Sequence, residues 1–184
     1  MEEQARPDVT EQYSVATNAR NLRVEMDSDR SSQADVLMAA SWSASRVGAA
    51  LLRLHSEWDS AEHPRKATPI YIHEMGLLLG RLKTLPDVRH QLVIQADRWK
   101  IENSLDVVAA VLIWWLDSAC TECHGVKTVV VRGGRPRTCR ACKGTGFAKI
   151  PHGDAGRRMV DHIDDCLTRA RGSIGRRLNG LRQK

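Results

Sequence analysis

The chain has 184 residues and a formal net charge of +6, a length that suits one domain or a helical domain carrying a small module. Its longest uninterrupted apolar stretch, residues 107–116, is about half of the roughly 20 residues that a membrane-spanning helix needs, which argues against a membrane protein of that class. The charge is uneven: residues 120–184 hold 15 Lys and Arg against 5 Asp and Glu, while residues 1–119 hold 13 against 17. A basic half of this kind favours a polyanionic partner, most commonly nucleic acid.

Residues 1–33 are polar, have no sustained apolar period and are expected to be a poorly ordered tail. They show no charged-then-apolar secretory signal, so a cytoplasmic setting with reduced thiols is expected. Residues 34–118 are expected to form a helical bundle. Asp35 is placed to cap a helix over 36–58, with Val36, Met38, Ala39, Trp42, Val47, Ala50, Leu51, Leu54 and Trp58 mostly at three-to-four spacing. Pro64 and Pro69 mark a loop over 63–69, and a second helix follows over 70–84. Pro86 punctuates it before a third helix over 88–102. Asn103 or Ser104 then caps a fourth helix over 105–117, apolar on nearly every side and therefore buried.

Residues 119–149 read as a small module. The β-branched run over 127–132 predicts a strand, Gly133-Gly134 a hairpin turn, and 135–139 the returning strand, with Pro136 on an edge. In residues 150–184, Asp154 caps a helix over 154–167 and Thr168 caps another over 169–182. The fold class expected is mainly α: a helical bundle with an inserted zinc ribbon and a C-terminal helix-turn-helix-like pair.

The strongest chemical signal is cysteine spacing. Cys120 and Cys123 form one C-x2-C pair, Cys139 and Cys142 a second, and fifteen residues separate them. Two such turns offer four thiolates to one tetrahedral ion. Gly125 and Gly144 each follow a pair by two residues, where positive φ lets backbone amides point at the sulfurs. One structural Zn2+ is expected, with iron the alternative for the same ligand set. Cys166 stands apart and is expected to be a buried small side chain rather than a fifth ligand, and His124 an exposed residue of the first knuckle.

Arginine dominates the C-terminal segment. Arg176 and Arg177 are candidate base readers and Arg157 and Arg158 candidate backbone clamps, with Arg169, Arg171 and Ser173 on the same outward face of the last helix. Arg132, Arg135 and Arg137 at the hairpin tip are candidate phosphate contacts. Catalysis has little support, and the protein is not expected to be an enzyme. His73-Glu74 begins a metalloprotease helix, but Leu77 occupies the place of its second histidine. Asp161, Asp164 and Asp165 are expected to be a solvated face or to pair with Arg158 and Arg169.

Several segments together carry a family resemblance. Asp35-Val36-Leu37-Met38-Ala39-Ala40, the two cysteine knuckles from Cys120 and from Cys139, Ile150-Pro151 and Leu167-Thr168 occur in one order. Over residues 35–184 that order resembles the late-gene antitermination Q proteins of lambdoid phages, of the lambda type. The cysteine–glycine element alone is shared with DnaJ-type chaperones, which carry more repeats of it and a J domain that this chain lacks. The resemblance implies a zinc-containing transcription antiterminator in the bacterial host cytoplasm. Such a protein binds double-stranded DNA at a late promoter, engages paused host RNA polymerase holding its σ factor, and then travels with it past terminators. It also implies that Cys120, Cys123, Cys139 and Cys142 are the zinc ligands and that the C-terminal helices contact DNA. Lys127 departs from the family pattern, standing where the first knuckle has its second glycine. A chaperone-like zinc module that binds unfolded protein, or another phage DNA-binding regulator, are the competing readings.

Overall fold

A computed structural model of the chain describes residues 8–19, 33–41, 43, 45–62, 71–130 and 134–181. Among them are seven helices and one two-stranded sheet: α1 Val9–Asn18, α2 Gln33–Ser41, α3 Arg46–Asp59, α4 Tyr71–Arg81, α5 Leu85–Arg98, α6 Ser104–Leu116, β1 Thr128–Val129, β2 Arg137–Thr138 and α7 Gly153–Leu181. The molecule is mainly helical, as expected. It divides into two compact units, one built from residues 1–63, 72–91 and 162–184, the other from 64–71 and 92–161.

The first unit is held by apolar burial. Leu51, Leu52 and Leu54 of α3 are fully enclosed, as are Ile163, Ala170 and Ile174 of α7. Each enclosed aliphatic side chain contributes about 1.5–3 kcal/mol relative to exposure. Gly48 lets two backbones touch: a Cβ there would lie 2.1 Å from the Cys166 carbonyl oxygen and 2.8 Å from Ala170 Cβ. Polar groups fix the remaining elements. The Glu57 carboxylate on α3 accepts from Thr84 N at 3.0 Å and from Thr84 Oγ1 at 2.6 Å, which anchors the start of α5.

Three expectations change here. Residues 1–33 are not uniformly a tail, because Val9–Asn18 is a helix with Tyr13 and Ala16 buried; it packs on α2 and α3, and Thr17 Oγ1 meets Ser56 Oγ at 2.5 Å. The helix expected over 36–58 is two helices. Serines interrupt it: Ser45 N donates to Ser43 Oγ, and Ser45 Oγ accepts from Gly48 N as the N-cap of α3, the local competition that serine offers a helix backbone. The helix-turn-helix-like pair is a single 29-residue helix, α7. Its buried stripe of Met159, Ile163, Cys166, Leu167, Ala170, Ile174 and Leu178 keeps helical spacing straight through exposed Thr168. That continuous burial overrides the capping tendency of one threonine.

Smaller shifts follow known rules. α5 begins at Leu85, since Pro86 in a first turn gives up no helical hydrogen bond. The loop expected over 63–69 lies outside the described residues. In the second unit, α6 places Val107, Val108, Val111, Leu112 and Leu116 in the core, which agrees with its near-continuous apolar sequence. Trp99, just past α5, lies under the Arg158 guanidinium at 4.3 Å from the ring centroid.

Candidate metal centre

The module begins as α6 ends. Trp114 Nε1 donates to the Ala148 carbonyl at 2.9 Å, and Ala148 N donates to Ser118 O at 2.8 Å, so the entering and leaving strands are tied together and to the helix. Ala119 bridges Phe147 in antiparallel fashion, and β1 pairs β2 with Thr128 opposite Thr138 and Val129 opposite Arg137. The strands are shorter than expected. The hairpin tip at 131–133, including Arg132, lies outside the described residues.

Four buried cysteines, Cys120, Cys123, Cys139 and Cys142, bring their sulfurs within 4.8 Å of one another. Cys120 Sγ is 3.9 Å from Cys139 Sγ, and Cys123 Sγ is 3.7 Å from Cys142 Sγ. Four thiolates at about 2.3 Å from a tetrahedral zinc sit about 3.8 Å apart, whereas a disulfide brings its sulfurs to about 2.0 Å. All four are free thiols. The cluster is therefore compatible with a structural metal site.

The two knuckles share one backbone, related by a shift of 19 residues. His124, Gly125 and Lys127 have φ of 48°, 86° and 71°; their counterparts Lys143, Gly144 and Gly146 have 52°, 84° and 86°. Cys120 N donates to Gly146 O and Cys139 N donates to Lys127 O, both at 2.9 Å. Each knuckle thus closes on the other by the same bond. The Ala119–Phe147 bridge occupies the place of the Thr138–Thr128 pair. The cysteines and paired glycines were legible in the sequence; the carbonyl roles of Lys127 and Gly146 were not, although the 19-residue recurrence of the cysteine–glycine pattern signals them.

Backbone amides tune the sulfurs. Burial pushes Cys142 up, but the amides of Gly146 and Gly144 and the neighbouring Cys123 and Cys139 sulfurs outweigh it, bringing the thiol to about 6. Gly146 N lies 3.3 Å from Cys142 Sγ. Burial and the adjacent Cys142 and Cys120 sulfurs push Cys123 up to about 11, against the amides of Lys127 and Gly125. Thiolate is the form that binds a metal.

The structure separates the remaining candidates. Cys166 is buried in the first unit and is not one of the four clustered cysteines, with His162 Nε2 at 3.6 Å and Arg169 Nη2 at 3.7 Å. Burial and the Arg169 charge hold the His162 ring below its usual range, with Asp165 opposing. On α7, Arg157 pairs with Asp154, Arg158 covers Trp99 and Arg169 Nε donates to the Asp165 carbonyl at 3.1 Å. Arg171 is half-buried, Arg176 and Arg177 are exposed, and Ser173 is buried rather than on the outward face expected for it. Arg158 thus turns to an aromatic ring instead of the expected aspartates. Arg135 and Arg137 of the hairpin are exposed.

What the fold and site define is a mainly helical chain with a quasi-symmetric pair of cysteine knuckles able to hold one metal ion. Compared with protein-family models, curated proteins and solved structures, the chain finds no match.

Proposed function

We propose that the protein is a zinc-containing, DNA-binding transcription antiterminator that acts with RNA polymerase and its σ factor at a late promoter. The observation that carries this reading is the four-sulfur cluster at the head of a segment with 15 cations against 5 anions. A structural ion there would hold exposed cations in fixed positions, which suits a phosphate backbone. The resemblance in residues 35–184 to phage late-gene antitermination proteins supplies the transcriptional context, and the cytoplasm of a bacterial host is the corresponding location. Among the described residues no helix is long and apolar enough to cross a membrane. The role assigned to the metal is architectural: four thiolates fill its coordination shell and leave no open position for substrate.

Purified zinc-loaded protein tests the reading in transcription by host polymerase from a late promoter followed by a terminator. Read-through should rise several-fold with protein and return to baseline when the promoter is replaced. Unchanged termination, with the protein metal-loaded and folded, would overturn it.

One observation favours a second reading, a chaperone-like module that binds unfolded protein. Val126, Val130 and Phe147 are 68%, 65% and 60% exposed, and Phe147 lines a cleft of about 310 Å³ with Leu116, Lys127 and Gly146. Suppression of client aggregation that persists in Arg176→Ala/Arg177→Ala, with no effect on transcription, would support it.

A further inference from the structure

The two knuckles have the same backbone and different charge. Under the 19-residue shift, the cysteines, the glycines after them and the cross-knuckle hydrogen bonds all repeat. The outward side chains do not. Ser118, Thr121, His124 and Val130 of the first knuckle correspond to Arg137, Arg140, Lys143 and Lys149 of the second. Residues 118–130 balance Lys127 against Glu122, whereas residues 137–149 carry those four cations and no acid. All four are exposed, and among the described residues none has a carboxylate within ion-pair range.

Folding does not ask for that charge. The first knuckle reaches the same positive-φ turns with neutral residues, so the second could as well. Four like charges in thirteen residues repel one another, and although four thiolates around a divalent ion would leave a net negative centre that offsets part of this, the first knuckle flanks the same centre without those cations. Such an arrangement is relieved by an anionic ligand with charges spaced along it. The α7 arginines are differently placed: Arg157, Arg158 and Arg169 are each engaged within the fold, and exposed Asp161, Asp164 and Asp165 lie between Arg158 and Arg169 along the helix.

We infer that the second knuckle is the phosphate-binding surface of the protein, with Arg140 and Lys143 on the metal-held turn and Arg137 and Lys149 on its two arms gripping duplex DNA, while α7 is mainly a structural strut. This rests on the DNA-binding reading above and changes its geometry: the metal does not merely support a recognition helix but shapes the turn that touches phosphate. The contacts are to backbone and carry affinity rather than sequence choice.

The test is fluorescence anisotropy of the full chain, zinc-loaded, on a labelled mixed-sequence duplex across a salt series, with metal content measured for every variant. Arg140→Gln/Lys143→Gln should weaken binding about 10-fold at low salt and flatten the log–log salt slope by about 2, the loss of two phosphate contacts. Arg137→Gln/Lys149→Gln, outside the turn, should act in the same direction, and decides the matter if the first variant loses metal. Arg176→Gln/Arg177→Gln should change affinity less than about 2-fold. The reverse ranking, with α7 dominant and the knuckle variants neutral, overturns this assignment and leaves DNA binding standing. If the wild-type protein binds no duplex even at low salt, the DNA-binding reading itself fails and takes this surface with it.

Discussion

In the first unit, Leu51, Leu52, Leu54, Ile163 and Ile174 are fully buried. In the metal module, the buried cluster is four cysteines with Val129 packed against it. The helical unit can therefore draw on side-chain burial, each leucine worth about 1.5–3 kcal/mol. The module has two strands of two residues each and almost no apolar interior, so an ion shared by its sulfurs would supply much of its order. The difference teaches that one chain can combine a part held by many separate apolar burials with a part whose buried centre is a single group of four candidate metal ligands.

The largest expected effect tests that dependence. Cys139→Ser, or a strong chelator, removes binding energy on the order of 10 kcal/mol. Amide exchange in residues 119–147 should then become fast while the amides of α3 keep their protection, and metal stoichiometry should fall towards zero. Retained protection in the module without metal would show that burial suffices there and would break the comparison.

The converse change comes next. Leu51→Ala empties part of a fully enclosed site and should destabilise the helical unit by about 2–5 kcal/mol, seen as a lower denaturation midpoint by circular dichroism. Metal content should stay at the wild-type level. If metal loss follows the same unfolding curve, the two stabilising schemes are coupled and the distinction does not hold.

These two regions were also unequally legible in the sequence. The four candidate ligands are legible because C-x2-C-x-Gly has few physical uses, and the structure gathers them. Helices α4 to α6 were found within a few residues because their apolar periods are strong. Misreadings arose where a local polar signal met tertiary burial. Thr168 is a good N-cap and reads as a helix start, but Leu167 and Ala170 on either side of it are buried, and the helix continues. Ser43 and Ser45 had the opposite history, breaking a helix whose apolar spacing looked continuous. Tyr13 and Ala16 were missed in a polar segment because two buried positions are too few to form a visible period. The backbone signs at Lys127 and Lys143 were illegible, since nothing in a lysine announces positive φ.

Lys127 supplies the smallest and most discriminating prediction. It adopts φ 71° at the position where the other knuckle has Gly146 at 86°, and a non-glycine residue there carries about 1–2 kcal/mol of strain. Lys127→Gly removes that strain but adds about 0.5–1 kcal/mol of chain entropy to the unfolded state. The net expectation is a gain of about 0.5–1 kcal/mol, read as a small rise in the chelator concentration needed to strip the metal. Gly146→Ala should act in the other direction and more strongly, because its new Cβ would lie 2.9 Å from the Gly125 carbonyl oxygen as well as adopting positive φ. The pair separates two explanations for the knuckles' quasi-symmetry. If Lys127→Gly lowers metal retention, the lysine stem, whose Cγ would sit 3.2 Å from that same Cβ, is packing the knuckle junction, and contact rather than backbone geometry governs the site. If it raises retention while Gly146→Ala lowers it, the shared turn is set by backbone conformation, and the side chains upon it are free to differ in charge.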